Sequence, residues 1–406
     1  MLLPDPVVTG MGVLSAIGQG KAAFTKGLLD GASAFGVMQR PGRQRESAYL
    51  GAEIGEIVFS PGIARQTLRA ASLSAQAALA VLEEAWTEAR LSEVDPRRIG
   101  LIVGGSNVQQ RELTQVHEAY RDTPEFLRPT YALSFMDSDL CGFCTSQFGI
   151  RGMAHTVGGA SASGQLAIVQ AAQAVRTGQV DVCIALGALM DLSHWECRGL
   201  RAVGAMGSDR HANEPALACR PFDRDHDGFI FGESCGAVVL ESAESSRRRG
   251  MEPYAALRGS GVAMDGNRNP DPSLEGEMQA IRTALESSGW TAGQVDYVNP
   301  HGTGSVVGDE TELKALQASG LSGVFLNATK SLIGHGLSAA GTVEVIATLL
   351  QMQAGRLHPT RNLENPIDPS FRWVGSEAID HSIQNALTLS MGFGGINTAL
   401  CWQRQN

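Results

Sequence analysis

Short, uninterrupted apolar segments recur along this chain and alternate with longer segments whose apolar residues follow helical spacing. The apolar segments predict strands at 6–9, 99–104, 182–190, 236–240, 295–299, 324–327 and 386–391. The strongest helical patterns cover 65–89 and 338–353. Continuous apolar strands between helices predict buried sheets whose faces are covered by helices, which is the α/β class.

No linker rich in proline, glycine or serine divides the 406 residues. A polar break at 242–251 instead predicts a junction between two α/β halves that share one core, residues 1–245 and residues 246–406. Residues 107–145 do not follow the alternating pattern. We expect them to form a cap over a site in the first half.

The chain has a formal charge of −10, so its overall field repels nucleic acid and anionic membrane surfaces. No stretch of 18 apolar residues predicts a membrane span. The start, residues 1–6, lacks the basic and apolar regions of a signal peptide, so we expect a cytoplasmic protein.

Seven scattered cysteines fit reduced, buried thiols better than disulfides. Cys141 and Cys144 form a CxxC pair, but no second ligand pair accompanies it, so we expect core residues and no metal site.

Two glycine-rich turns carry histidines. His301 follows a predicted strand, and the glycines on either side of Thr303 would let a ligand approach the backbone. Lys330 and His335 follow the next predicted strand. Taken singly, a lone histidine or a loop lysine is as compatible with a structural role as with a functional one.

Three carboxylates lie at spacings where helices could bring them to Lys330: Asp309, Glu312 and Glu344. A buried lysine needs such partners, because an unpaired one tends to lose its charge. Lys330 is therefore either an exposed loop residue or the centre of a buried charge cluster.

Two further turns lack histidine. Ser161 and Ser163 lie before a predicted helix at 166–175, where free backbone N–H groups favour negative charge. Either serine could simply cap that helix. The turn at 391–397 holds three glycines, and it could either aim N–H groups at an oxyanion or only reverse the chain.

Together and in this order, these segments resemble the β-ketoacyl-acyl carrier protein synthases, the condensing enzymes of fatty-acid and polyketide synthesis. The resemblance runs the length of the chain, through 7–13, 220–229, 301–305, 330–335 and 392–397. It implies a duplicated thiolase fold with five αβαβα layers and two mixed sheets. It also implies a homodimer without metal or organic cofactor, whose substrate is carried on the phosphopantetheine of an acyl carrier protein.

The resemblance also implies roles by position. His301 and His335 match the two active-site histidines, and Lys330 matches a structural lysine held by Glu344, with the other two carboxylates nearby. The residues implied in substrate binding and oxyanion stabilisation are Thr303 and Ser305 at the phosphopantetheine, with Phe393 as gating aromatic and Gly394 beside it at the oxyanion hole.

Two exposed-looking arginines, Arg65 and Arg69, lie one helical turn apart, at a place that resembles the carrier-docking region of the family. The same spacing also fits an ordinary solvated helix face. Both interpretations remain open from the sequence.

The departure from the family is at Ser161, because condensing members carry cysteine at this position. A thiol has a pKa near ~8.5 that a helix amino end can lower, which gives a nucleophilic thiolate. A serine hydroxyl is a far weaker acid and needs a positioned base. Transfer of an acyl chain to the enzyme should therefore be slow or absent. The histidines can still stabilise the enolate that forms when malonyl loses CO2.

This pattern resembles the serine-type ketosynthase homologues of polyketide β-branching cassettes, which implies decarboxylation of malonyl-carrier protein to acetyl-carrier protein without condensation. Two alternatives stay open. One is a condensing enzyme, either with Ser161 as the working nucleophile or with serine substituted for a natural cysteine. The other is a non-catalytic partner subunit of a heterodimeric synthase.

Overall fold

The structure is a computed structural model that describes residues 5–45, 47–268 and 270–405. Most of the opening segment 1–6, on which the expectation about a signal peptide depends, lies outside the described residues. Within those ranges, no helix is both long enough and apolar enough to cross a bilayer.

The first half of the chain begins with a long buried strand and ends with a short polar helix. Its strands are β1 (Pro6–Ser15), β2 (Gly18–Gln19), β3 (Phe35–Val37), β4 (Leu50–Ala52), β5 (Ile99–Gly104), β6 (Ala154–Val157), β7 (Val182–Gly187), β8 (Phe231–Gly232) and β9 (Ser234–Ser242). Its helices are α1 (Lys21–Leu29), α2 (Arg65–Ala70), α3 (Leu73–Glu88), α4 (Gln110–Ala119), α5 (Tyr131–Ser134), α6 (Ser138–Phe148), α7 (Ser163–Arg176), α8 (His194–Ala202) and α9 (Ala243–Arg248).

The second half repeats the alternation with fewer helices. Its strands are β10 (Ala255–Met264), β11 (Tyr297–Asn299), β12 (Phe325–Leu326), β13 (Arg356–Leu357), β14 (Arg372–Trp373), β15 (Ile379–Asp380), β16 (Asn385–Gly392) and β17 (Ile396–Arg404). Its helices are α10 (Leu274–Ser288), α11 (Val306–Ala318), α12 (Lys330–Ile333) and α13 (Ala340–Ala354).

The two halves have the same sheet topology, which is direct evidence for a duplicated fold. The first sheet has the order β6-β5-β7-β9-β1, and the second has the matching order β12-β11-β16-β17-β10. Each is mixed, with parallel pairing around its second strand and antiparallel pairing beyond. The sheets meet where β1 runs antiparallel to β10 at the pair Val7 and Ala256, so they form one continuous path.

Helices and sheets alternate in five layers, as expected. Helix α3 packs against the outer face of the first sheet, and α10 packs against the outer face of the second. Helices α7 and α13 pack against each other between the sheets. The fit is close: a Cβ added to Gly187 of β7 would lie 1.7 Å from Oγ1 of Thr342 in α13.

The predicted helix at 65–89 is interrupted. Ala71 and Ser72 adopt extended backbone angles, and the Ser72 hydroxyl accepts a hydrogen bond from Ala75 N at 3.1 Å. Ser72 therefore caps α3, and the apolar periodicity continues across a break that it does not reveal.

Candidate active site

Ser161 lies at the tip of a tight turn between β6 and α7. Ala160 has a φ of 46°, a left-handed conformation that is strained for a residue with a side chain. The Ser163 hydroxyl stabilises the turn, because it accepts a hydrogen bond from Gly159 N at 2.9 Å and donates to Ala160 O at 2.7 Å. Helix α7 begins without a side-chain cap, so the reading of either serine as a capping residue is wrong.

The turn of Ser161 packs directly against the end of β16. Ser390 donates a hydrogen bond to the Ser161 carbonyl at 3.0 Å. The backbone of Gly392 approaches Gly159 so closely that an added Cβ would be 2.2 Å from its carbonyl oxygen. Phe393 follows at once, with 43% of its surface exposed, and the next two glycines have positive φ. The glycine-rich turn at 391–397 therefore lies beside Ser161.

His335 is the hydrogen-bond partner of the serine. Its Nε2 is 2.9 Å from Ser161 Oγ, and its Nδ1 accepts a hydrogen bond from Leu337 N at 3.3 Å. Burial and the Lys330 ammonium hold the pKa of His335 well below its usual range, so the ring is neutral. Because Nδ1 is an acceptor, the single ring proton lies on Nε2, which donates toward Ser161.

His301 presents a second imidazole to the same place. The two rings are nearly perpendicular, with centroids 5.4 Å apart. Lys330 Nζ is 3.4 Å from His301 Nδ1 and also donates to its carbonyl oxygen. Burial, Lys330 and His335 keep the pKa of His301 well below its usual range. With Nδ1 facing an ammonium donor, its ring proton also lies on Nε2.

Of the three predicted carboxylates, Glu344 is the hydrogen-bonded partner of Lys330. Their Nζ and Oε1 atoms are 2.5 Å apart, and both side chains are about 1% exposed. Burial raises the pKa of Glu344 to about 7 against the opposing effect of the ammonium. The lysine is thus the centre of a buried charge cluster and not an exposed loop residue.

Asp309 and Glu312 were expected near Lys330, and the ammonium of Lys330 does act on the charge of Glu312. The hydrogen bonds of both carboxylates, however, go to backbone groups. Glu312 accepts hydrogen bonds from the backbone N–H groups of His301 and Gly302 at 2.6 and 2.8 Å. Asp309 accepts from those of Thr303 and Gly304 at 3.1 and 3.0 Å. Both carboxylates lie in the first two turns of α11. They fix the backbone of the turn at 301–304, the His301 turn, whose two glycines have positive φ.

These turns surround a pocket of about 680 Å³. Its reactive side contains Ser161, His301 and His335, together with the hydroxyls of Thr303 and Ser305, which are 3.1 Å apart. Its other wall is apolar and consists mainly of Met190, Leu192, Leu200, Val203 and Phe229.

Three features that the sequence analysis singled out do not line this pocket. Gly394 is not among the residues that line the pocket, although its neighbour Phe393 is. Arg65 and Arg69 lie exposed on α2 and do not line it either. The segment 107–145 was expected to cap the site, but none of its residues lines this pocket, because α6 packs against α3 and β5 instead.

Some residues of the site carry no signal in the sequence. Ser163 and Ser390 hold the serine turn, yet isolated serines are common on strands and at helix starts. Glu277 lines the pocket from the first turn of α10 and is 1% exposed. In the sequence, a glutamate in the first turn of a helix is typical of a surface charge that stabilises the helix. Only the fold shows that Glu277 is buried.

The cysteines are free and buried. Cys141 and Cys144 lie in α6 within the core beneath α3, and burial raises the pKa of both thiols. Across the described ranges, no group of three or more histidine, cysteine or acidic side chains could hold a metal ion. The CxxC pair is therefore part of the core.

Comparison with known proteins agrees with this geometry. The profile of the β-ketoacyl synthase N-terminal domain matches residues 5–246, and that of the C-terminal domain matches residues 254–364. The chain belongs to the β-ketoacyl synthase family. Its thiolase-like fold is shared with a solved complex described as a type II polyketide synthase acyl-carrier protein with its ketosynthase, at a TM-score of 0.88 and 25% identity over 100% of both chains.

Two curated relatives of this chain have different activities in their names. The polyketide biosynthesis malonyl-ACP decarboxylase PksF of Bacillus subtilis (strain 168) is 60% identical over 99% of this chain and 97% of its own length. The chloroplastic 3-oxoacyl-[acyl-carrier-protein] synthase I of Arabidopsis thaliana is 30% identical over 98% of this chain and 86% of its own.

The Lys330–Glu344 pair makes a testable prediction about stability. Glu344→Ala should lower the free energy of unfolding by about 3–5 kcal/mol, because it leaves a buried ammonium unpaired. The double variant Lys330→Met/Glu344→Leu removes both charges and should recover part of that loss. Urea denaturation of the three proteins measures it, and a double variant less stable than Glu344→Ala would contradict the assignment.

Proposed function

We propose that this protein decarboxylates malonyl-acyl carrier protein to acetyl-acyl carrier protein in polyketide biosynthesis, in a β-branching cassette, without condensation. One observation carries the proposal: the Ser161 hydroxyl faces an Nε2–H donor of His335 and not a base. A serine without a base is a poor nucleophile toward a thioester. The 60% identity to the decarboxylase PksF supports the same activity.

The two imidazoles supply the electrostatic stabilisation that decarboxylation requires. When the bond between the malonyl α-carbon and its carboxylate breaks, CO2 leaves and the electron pair forms a thioester enolate. The Nε2–H groups of His301 and His335 donate hydrogen bonds to the enolate oxygen, where the negative charge develops. Because both rings are already fixed by Lys330 and Leu337 N–H, little reorganisation accompanies this charge.

We propose that the reaction needs no metal or organic cofactor and that the malonyl group is carried on the phosphopantetheine arm of the carrier protein. We assign the arm to the pocket beside Thr303 and Ser305, whose hydroxyls can bind its amides. Phe393, exposed at the pocket, would gate the thioester. We further place the enzyme in the cytoplasm, where its seven buried thiols would stay reduced.

The central experiment follows malonyl-carrier protein by mass spectrometry. We expect the natural protein to convert it to acetyl-carrier protein with no adduct on Ser161. His301→Ala should slow CO2 release by about 10²–10³-fold, because one of two oxyanion donors is lost. Ser161→Ala should keep CO2 release, whereas Ser161→Cys should gain self-acylation.

The same assay separates this function from its alternatives. Extension of an acyl chain by two carbons on Ser161 would establish a condensing enzyme and overturn the proposal. Malonyl-carrier protein that stays intact with an authentic carrier would point to a non-catalytic subunit.

We propose that the carrier protein docks at α2 through Arg65 and Arg69. Both arginines are exposed, and carrier proteins are acidic. Long-range attraction between opposite charges increases association rates and decreases at high salt.

Charge reversal tests the docking surface. Arg65→Glu/Arg69→Glu should raise the KM for malonyl-carrier protein roughly tenfold at low salt and leave kcat with malonyl-pantetheine unchanged. Arg247→Glu/Arg248→Glu changes the net charge equally on α9 and serves as the control. An equal effect of both pairs would mean that only total charge matters.

We propose that the enzyme is a homodimer whose second copy covers β6 and the segment 107–145. β6 is the edge of its sheet, and Ala154 and His155 are exposed there. Nearby in the chain, four large apolar side chains are 47–69% exposed: Phe126, Leu133, Phe135 and Met136. Uncovered apolar patches and strand edges of this kind are typical of interfaces.

Sedimentation tests the dimer. The natural protein should sediment as a dimer at micromolar concentration, and Leu133→Asp/Phe135→Asp should shift it toward monomer, because buried charges destabilise an apolar interface. Val58→Asp, on a side chain that is 73% exposed elsewhere, is the control. A monomeric natural protein would disprove the proposal.

A further inference from the structure

Glu277 is a buried acid in the wall of the pocket, and the mechanism above leaves it without a role. It is 1% exposed and lines the pocket together with His301 and His335. Its Oε2 atom is buried and has no hydrogen-bond partner among the residues that the structure describes. A buried polar group without a partner in an active-site wall calls for a functional explanation.

Three carboxylates act on the charge of the Glu277 carboxyl. Glu312 and Asp309 approach from α11, and Asp265 approaches from the end of β10. Within the described parts of the chain, no cation is among the charges that shift the pKa of this carboxyl. Burial and these three carboxylates raise the pKa of Glu277 well above its usual range, which favours the protonated form of its carboxyl.

Conversion of malonyl to acetyl consumes one proton at the α-carbon in every turnover. In a condensation the enolate carbon attacks an acyl group instead, so no proton has to be delivered to it. The proposed decarboxylation therefore places a demand on the pocket that a condensing reaction does not.

The other groups in the pocket are poorly suited to deliver this proton. The neutral rings of His301 and His335 are very weak acids, and their N–H groups are directed to the enolate oxygen. The Ser161 hydroxyl is also a very weak acid. Burial raises the pKa of Glu312 to about 7, but both of its oxygens already accept backbone N–H groups. Both oxygens of Asp309 are occupied by backbone N–H groups as well. Glu277 combines an acidic proton with an oxygen that no other group occupies.

We propose that Glu277 is the general acid that protonates the enolate carbon after CO2 has left, a step that rests on the proposed function. The enolate electron pair forms the new C–H bond with the proton of the Glu277 carboxyl, either directly or through one water, and the O–H bond breaks. The resulting carboxylate faces Glu312, Asp309 and Asp265 and regains a proton from water. One proton is consumed and one CO2 is released per turnover, so the step balances.

Glu277→Gln tests the proposal, because glutamine keeps the size and polarity of the side chain but is not an acid. The variant is given malonyl-carrier protein in buffer with ¹³C-bicarbonate. We expect acetyl formation to fall roughly 100-fold, a typical loss for a general acid. We also expect ¹³C in the recovered malonyl group, because an enolate that is not protonated recaptures CO2. A purely structural role of Glu277 would not cause this exchange.

Two further variants control the experiment. Glu275→Gln makes the same substitution at an exposed position of α10 and should behave as the natural protein does. Glu277→Ala should lose acetyl formation and regain part of it with added acetate, which supplies a small acid to the vacated space. Thermal unfolding of each variant establishes that it is folded.

The outcomes separate this inference from the proposed function. Acetyl formation by Glu277→Gln at the natural rate, without label in the malonyl group, would overturn the role of Glu277 and leave the decarboxylase intact. Failure of the natural protein to form acetyl-carrier protein would overturn the proposed function, and the role of Glu277 with it.

Discussion

The hydrogen bond from Leu337 N–H to Nδ1 of His335 decides what Ser161 can do. Leu337 holds this position with a φ of 51°, a strained conformation for leucine. With Nδ1 occupied as an acceptor, Nε2 of the neutral ring can only donate. The serine therefore lacks the base that would activate it, while the same Nε2–H is suited to a developing oxyanion. One backbone group thus selects electrophilic chemistry over nucleophilic chemistry at this site.

His301 reaches the same protonation state by a different route. There the ammonium of Lys330 faces Nδ1, and the ammonium is in turn held by Glu344 in a pair that is almost fully buried. Burial of such charges is costly, and the cost is offset only by close partners. Glu312 is buried beside them, and both of its oxygens accept hydrogen bonds from the backbone of the His301 turn. The charged cluster therefore fixes the ring of His301, and its ammonium helps to keep both histidines neutral.

Sequence patterns predicted the strands that are uniformly apolar, such as β5 and β7, but not β10. That strand contains Gly259 and Gly261, which read as loop residues. The structure explains them, because α10 lies so close that a Cβ on Gly261 would be 2.0 Å from Ala280 O. β17 was missed because its polar residues interrupt the apolar pattern.

The histidines, Lys330 and Ser161 could be found from motifs, because a sequence motif records residue types at fixed spacing. Helical spacing correctly predicted that Asp309 and Glu312 lie on one face of α11, near the active site. It did not predict that backbone N–H groups are their hydrogen-bond partners. Glu277 could not be recognised at all, since its burial and its acidic surroundings depend on the packing of α10 against α11.

An enolate formed in this pocket can go on to a product with one of two electrophiles, an acyl group or a proton, and the surrounding side chains favour the proton. With a hydroxyl at Ser161 that no base activates, no acyl group waits as an electrophile, so carbon–carbon bond formation has no partner. A proton then becomes the only electrophile that completes the reaction, and a buried acid in the wall becomes useful where a condensing site would gain nothing from it. The fold can thus retain the enolate chemistry of the family and still give a different product, because a proton and not an acyl group reacts with the enolate carbon.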